Sequence, residues 1–262
     1  MQIELVSYNV HGCVGCDGRA DPHRVAAVLE EVGGDLVALQ EVPALERGGE
    51  ALLAEVRART GLTAIAGSEL LSHFAHYGNA VLTRFPLTQK STLYLGVGRR
   101  EPRGAIHVEL DCGRMKLNVI ATHLGLSPAE RRDQIKRILP VVTRLTCPVA
   151  LLGDFNEWFT WGRPLRWLHA HFGRPPAPRS FPSVLPTFRL DRVWVSRPSV
   201  ITSVRAHTSR LARVASDHLP VRARAELRWA DYAEASSVAS RSGRVAESGA
   251  RECEAGSSAA LG

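Results

Sequence analysis

Eight short runs rich in Val, Ile and Leu recur along the first 227 residues: IELVSYN, DLVALQE, NAVLTRF, AIHVEL, KLNVIATH, VALLGDFN, LDRVWV and LPVRARAEL. Runs of this length and residue type read as strands. Six of the strand boundaries carry polar residues. IELVSYN ends in Asn9, DLVALQE in Glu41, KLNVIATH in His123, and VALLGDFN in Asp154 and Asn156. LDRVWV carries Asp191 at its start, and Asp217 and His218 stand just before the last run. Collecting polar groups at strand edges is how a rigid scaffold builds a site from distant positions.

Helical patterns fall between some of these runs. DPHRVAAVLEEVG at 21–33 has Asp21 as N-cap, Pro22 at the first helical position and Gly33 as a stop. ALLAEVRARTG at 51–61 repeats that plan, and SPAERRDQIKRILPVV opens with Ser127 and Glu130 in capping-box spacing. RWLHAHFG reads as the end of an amphipathic helix, with His169 and His171 in structural roles. The runs at 104–110 and 115–122, split by DCGR, read as a hairpin. The helices are too few and too unevenly placed for a regular βαβ alternation. The expected fold class is α/β, with mixed sheets packed face to face and helices outside.

Composition narrows the class further. Hydrophobic residues make up 45% and charged residues 23% of the chain, which are globular values and exclude collagen, coiled coil and general disorder. No apolar run approaches the ~20 residues of a membrane-spanning helix, so no stable membrane insertion is expected. The N-terminus lacks the marks of a signal peptide. With five cysteines, an odd number, this points to reduced thiols and a cytoplasmic location. Cys13 and Cys16 form an isolated C-x-x-C without a second pair or an adjoining helix start, and read as loop thiols. One folded unit, 1–227, is expected, followed by a disordered tail, 228–262, in which Ser, Ala and Gly make up 17 of the last 27 residues. The net charge of +7 becomes +8 on residues 1–227, with 29 basic and 21 acidic side chains. This excess permits polyanionic partners without demanding one.

The boundary residues cohere chemically. Glu and Asp with Asn supply the hard oxygen ligands that Mg²⁺ or Mn²⁺ prefers, and zinc would demand more His or Cys. Two histidines supply proton transfer near neutral pH. The segments SYN, LQEV, YGNAVLTRFP, RGA, THL, GDFN, LDRV and SDHLPV, in this order, resemble the endonuclease/exonuclease/phosphatase superfamily, and its small bacterial members above all. The resemblance spans residues 3 to about 227. It implies a deoxyribonuclease I-like four-layer sandwich, in which a two-layer mixed β-sandwich is flanked by helices. It also implies Mg²⁺- or Mn²⁺-dependent hydrolysis of a phosphoester.

Carried over residue by residue, Glu41 resembles the principal metal ligand, Asn9 the neighbour that orders it, and Asp217 a second acid near the metal. Asp191 resembles the acid that holds His218. Asp154 resembles the group that orients or deprotonates the attacking water, Asn156 a donor to a phosphate oxygen, and His123 the second histidine. The base stays open between Asp154 and a histidine. Arg103, in the RGA segment, is a bidentate phosphate candidate, and Arg19 is one by position near Asn9. Members resembling exonuclease III and the abasic-site endonucleases carry tyrosine where this chain has His123. Those resembling deoxyribonuclease I, sphingomyelinases and inositol-phosphate phosphatases carry histidine. The supporting acid of the deoxyribonuclease I pattern corresponds here to the neutral Asn79, which is expected to orient His123 without favouring its cation.

The expected partner is a phosphoester substrate, with nucleic acid or a phospholipid head group as the diester choices, and the protein is expected to be a monomer. The alternatives are a phosphomonoesterase on a soluble phosphate and a binding module that keeps the fold without catalysis. Other polar and aromatic residues have plainer readings. Trp158, Trp161 and Trp167 are expected in the core, with a substrate-pocket wall as the alternative. Arg131 and Arg132 are expected on a solvated helix face, and His73 and His76 in a loop.

Overall fold

The computed structural model describes residues 1–67, 76–98 and 100–228. Residues 229–262 of the expected tail and His73 lie outside the described residues. Eleven strands and five helices follow one another as β1 (Gln2–Asn9), α1 (Pro22–Val32), β2 (Leu36–Pro43), α2 (Gly49–Thr60), β3 (Thr63–Ala66), β4 (Tyr77–Thr83), β5 (Leu87–Tyr94), β6 (Gly104–Asp111), β7 (Lys116–His123), α3 (Pro128–Arg144), β8 (Val149–Asp154), α4 (Arg163–Phe172), β9 (Asp191–Val195), β10 (Val200–Ala206), α5 (Ala212–Ala215) and β11 (Val221–Glu226).

The strands form two sheets. One has the order β10-β11-β1-β2-β4-β3 and the other β5-β6-β7-β8-β9. Each holds one parallel pair at its heart, β1 with β2 and β7 with β8. Every other pairing is antiparallel. Alternation along the strands gives each sheet two apolar faces. Leu5, Leu36, Val81, Val108, Val119 and Leu152 meet between the sheets. Tyr8, Val37 and Leu39 face Val25, Leu29 and Leu52 of α1 and α2. Ile120 and Leu151 face Ile135, Ile138 and Leu168 of α3 and α4. Three apolar layers between four layers of structure make the expected helix–sheet–sheet–helix sandwich.

The capping signals act as read for α1 and α3. Asp21 accepts from the Arg24 N–H, and Ser127 and Glu130 complete a capping box. The start of α2 has no side-chain cap, and only its stop at Gly61 follows the expected plan. The hairpin between β6 and β7 pairs Asp111 with Lys116 around DCGR. Cys13 and Cys16 are free thiols in the loop between β1 and α1. No helix among the described residues is long and apolar enough to cross a membrane.

Three expectations change. Strands β3, β5 and β10 carry no recognised apolar run; all three are sheet edges and lack the continuous burial of β9, the fourth edge. β5 is exposed along nearly its whole length. Trp158 and Trp161 are not core residues, being 39% and 70% exposed. The chain leaves the sheet after β8, and of that segment Phe155 takes the buried place, edge-on against Trp194 at 4.8 Å. Arg131 is not on a solvated face. It is buried, with Nε and Nη2 donating to the Glu157 carboxylate at 3.2 and 3.3 Å. The first turn of α3 is pressed against the loop after β8, and the ion pair sits in that contact.

Candidate active site

The parallel pairs β1–β2 and β7–β8 end at the same end of the sandwich, and antiparallel β9 begins there, with Asp191 opposite Asp154. Asn9 ties the two sheets together. Its amide donates to Glu41 Oε1 at 2.9 Å and to Asp154 Oδ2 at 3.1 Å, across 145 residues of chain. Local backbone turns these side chains inward. The β2–β4 register shifts between Leu39 and Val42, and Glu41 sits in that bulge with φ +53°. Asn156 has φ +49°. Positive φ on non-glycine residues is costly and persists where the surroundings over-determine it. Gly153 is required by close approach, since a Cβ there would lie 1.9 Å from the Thr122 carbonyl on β7.

Asp154 is the centre of the arrangement. Its Oδ2 lies 3.1 Å from Asn9 Nδ2, 3.5 Å from His123 Nε2 and 3.6 Å from His218 Nε2. Burial pushes its carboxyl up, to about 6, against the pull of His218. His218 Nδ1 donates to Asp191 Oδ2 at 2.8 Å, and the Phe181 ring packs on the imidazole at 4.8 Å. Burial alone would lower the His218 pKa, but Asp191 and Asp154 together carry it to about 10. His218 is therefore an imidazolium at neutral pH, with its Nε2 proton facing Asp154.

His123 is held the other way. Burial and the Arg103 charge keep it well below the ordinary imidazole range, and so neutral. Arg103 Nη1 lies 3.0 Å from Nδ1. A guanidinium only donates, so Nδ1 accepts from Arg103, while Nε2 faces the Asn156 amide at 3.0 Å. The same Nε2 lies 3.5 Å from Asp154 Oδ2 and 3.9 Å from Glu41 Oε1.

The structure thus brings Asn9, Glu41, His123, Asp154, Asn156, Asp191 and His218 into one site. Asn156 donates to the Leu124 carbonyl, and its Nδ2 is 3.0 Å from His123 Nε2. Arg103 lies beside the site, held between Glu101 and His123. Asn79 is buried but does not orient His123. Its amide donates to the Gly104 carbonyl, and Arg103 takes the position at Nδ1 that the resemblance gave to residue 79. Asp217 is half-buried and faces His11 at 3.8 Å and Ser216 at 3.4 Å. Arg19 is exposed on the loop before α1, and its side chain makes no hydrogen bond or ion pair among the described residues.

Two supporting serines went unrecognised. Ser180 donates to Asp191 Oδ2 at 2.5 Å. Ser216 donates to the Asn9 carbonyl and accepts from the His218 N–H, fixing the last loop onto β1. Ser216 was visible as the first residue of SDH, next to a turn. Nothing in the PRSFP context marks Ser180.

Two acid clusters compete to hold a metal. Asp154, Asp191 and His218 offer atoms within 4.8 Å of one another. A histidine must be neutral to ligate, and Asp191 and Asp154 favour the His218 cation, so this group fits charge stabilisation better than metal ligation. Glu41 fits a cation better. Its carboxylate is a quarter exposed, with the Asn9 amide on one oxygen, and hard carboxylate oxygens open to water suit Mg²⁺ or Mn²⁺.

Residues 6–218 match the model of the endonuclease/exonuclease/phosphatase family. The uncharacterized protein YbhP of Escherichia coli K12 is 29% identical over 247 residues, covering 86% of this chain and 96% of that protein. An endonuclease/exonuclease/phosphatase from Beutenbergia cavernae superposes with TM-score 0.66 at 24% identity, covering 86% of this chain and 72% of the other. The mannosyl-6-phosphatase Bt3783 of Bacteroides thetaiotaomicron superposes with TM-score 0.69 at 18% identity, covering 86% of this chain and all of the other. With more than half of its length matched, and both sheets and their joint edge in place, the chain belongs to the endonuclease/exonuclease/phosphatase family.

Proposed function

We propose that this protein is a divalent-metal-dependent phosphoester hydrolase that acts on phosphodiesters by in-line attack of water on phosphorus. The observation that carries the reading is the buried Asp191–His218 pair facing Asp154, at the sheet end that also holds Glu41. Mg²⁺ or Mn²⁺ would be held by Glu41, and supplies positive charge to the phosphoryl oxygens when bound. Asp217, whose main-chain carbonyl accepts from the Ser183 N–H, supports the site's last loop.

The chain's own residues supply the rest. The His218 imidazolium turns its Nε2 proton inward and does not accept a proton from water, and burial beside Arg103 depresses the basicity of His123. That leaves Asp154 as the base, with its carboxyl raised towards neutrality where a general base works best. The His218 imidazolium stabilises charge developing on a phosphoryl oxygen, and His123 and Asn156 position the phosphate. Asn9 keeps Glu41 and Asp154 apart from each other's charge by donating to both.

A specific observation also supports a monoester reading, since a structural relative with the same fold is a mannosyl-6-phosphatase. The test is hydrolysis of bis(p-nitrophenyl) phosphate against p-nitrophenyl phosphate, each with Mg²⁺, with Mn²⁺ and with chelator. The diester reading expects metal-dependent turnover of the first substrate in excess of the second. His218→Ala is expected to lower kcat by about 10²–10³. Full activity in that variant, or in chelator, overturns the mechanism.

A further inference from the structure

A cleft of about 450 Å³ opens beside the site, between the start of α3 and the start of α4. Glu157 lines its inner end and is neutralised by the buried Arg131. Arg132, Arg163 and Arg166 form its walls, together with the rings of Phe159 and Trp161. The two rings are 53% and 70% exposed, with centroids 5.3 Å apart. None of the three arginine side chains has a hydrogen bond or ion pair among the described residues.

The lining of the cleft begins one residue from the site. Glu157 directly follows Asn156, one Cα step of about 3.8 Å. Arg131 also donates to the carbonyls of Gly125 and Leu126, just past His123. The site and the cleft thus share one stretch of chain, residues 154–157, which carries Asp154 and Asn156 on one side and Glu157 on the other.

Three unmatched guanidiniums call for anions, and their planar forks suit phosphate. Two exposed aromatic faces call for flat apolar partners. A single-stranded nucleic acid presents both along one chain, whereas a duplex hides its base faces in the stack. The rings also line a cleft walled by charge, and do not crown an apolar face of the kind that enters a membrane.

We infer that this cleft is a subsite for the nucleotides flanking the cleaved bond of a single-stranded nucleic acid. Phe159 and Trp161 stack on a base, and Arg132, Arg163 and Arg166 meet backbone phosphates. The inference rests on the phosphodiester reading above, but its test does not need turnover. Binding of a fluorescein-labelled oligothymidylate to the full chain is measured in chelator across a salt series. The combined Arg132→Ala, Arg163→Ala and Arg166→Ala variant is expected to flatten the log–log salt slope by about 2, and lysine at the same three positions to restore it. Trp161→Ala is expected to weaken binding by about 5- to 150-fold. The ratio of kcat/KM on oligonucleotide to that on bis(p-nitrophenyl) phosphate is expected to fall at least about fivefold in Trp161→Ala.

Wild-type affinity and slope in the triple alanine variant overturn the subsite. So does loss of binding to phosphatidylcholine vesicles containing a phosphoinositide with oligonucleotide affinity unchanged, which would assign the cleft to a lipid head group. A wild-type protein that binds oligothymidylate through this cleft but hydrolyses neither nitrophenyl ester sinks the catalytic reading and leaves the cleft standing.

Discussion

The two histidines of the site differ in charge because their Nδ1 atoms face opposite partners. Asp191 faces that of His218 and Arg103 that of His123. The functional form of His218 is the cation, so activity is kept below its pKa and lost as pH rises through it. With His218 carried to about 10, kcat/KM is expected to hold well past the ordinary imidazole range and fall near that value. Asp191→Asn removes the charge that raises the ring and leaves the burial that lowers it. The alkaline limb is then expected to move towards neutrality, so that activity at pH 8 drops more than activity at pH 6. An unchanged limb in a pH–rate profile would deny His218 the acidic role. Most of this constellation was legible because the residues stand at the ends of apolar runs. The orientation of His123 was not legible, since Arg103 stands just before a different strand, β6, and only the β6–β7 pairing brings the two together. Arg131 was misread for a related reason. Helix periodicity says which residues share a face, but not that the first turn of α3 is covered by a loop from β8.

The loop after β8 is where elements constrain one another most tightly. The Arg131–Glu157 pair is buried and bidentate, and removing one partner strands a charge. Arg131→Met is expected to destabilise the fold by about 3–5 kcal/mol in urea denaturation, with the Arg131→Met/Glu157→Gln double variant recovering part of the loss. Gly153→Ala is expected to cost about 1–3 kcal/mol by overpacking against Thr122, and to lower kcat by spreading β7 from β8 at the residues that carry His123 and Asp154. A variant with wild-type midpoint would show that the strands tolerate the wider spacing. Strands at this level were legible where both faces are buried. β1, β2, β7 and β8 read as apolar runs because helices cover one face and the opposite sheet the other. β3 and β10 are short or alternating, and β5 is an exposed LTQKSTLY. Edge strands are stabilised by one neighbour and kept polar, which also guards them against pairing with other chains.

At the scale of the whole molecule, the first and last strands meet. β1 lies between β11 and β2, and the Met1 amino group donates to the Leu227 carbonyl while the Leu227 N–H donates to the Met1 carbonyl. β1 ends in Asn9, the residue that joins the two sheets at the site, so the chain up to Leu227 is needed to hold the catalytic end together. We propose that residues 1–227 are the catalytic unit and that residues 229–262 add nothing to it. A chain ending at Arg228 is expected to keep the thermal midpoint and the diesterase kcat/KM of the full chain. A chain ending at Pro220 lacks β11, which leaves β10 without a neighbour and one edge of β1 unpaired. It also exposes the apolar positions Val221, Ala223 and Ala225 cover between the sheets. Exposing those positions and breaking two ladders exceeds the roughly 5–15 kcal/mol by which a domain is stable, so the shorter chain is expected to lose its cooperative transition. Loss of activity in the longer truncation would mean that residues 229–262 contribute to the substrate site after all. Retention of a cooperative transition in the shorter one would mean that β1 and Asn9 hold their places without β11.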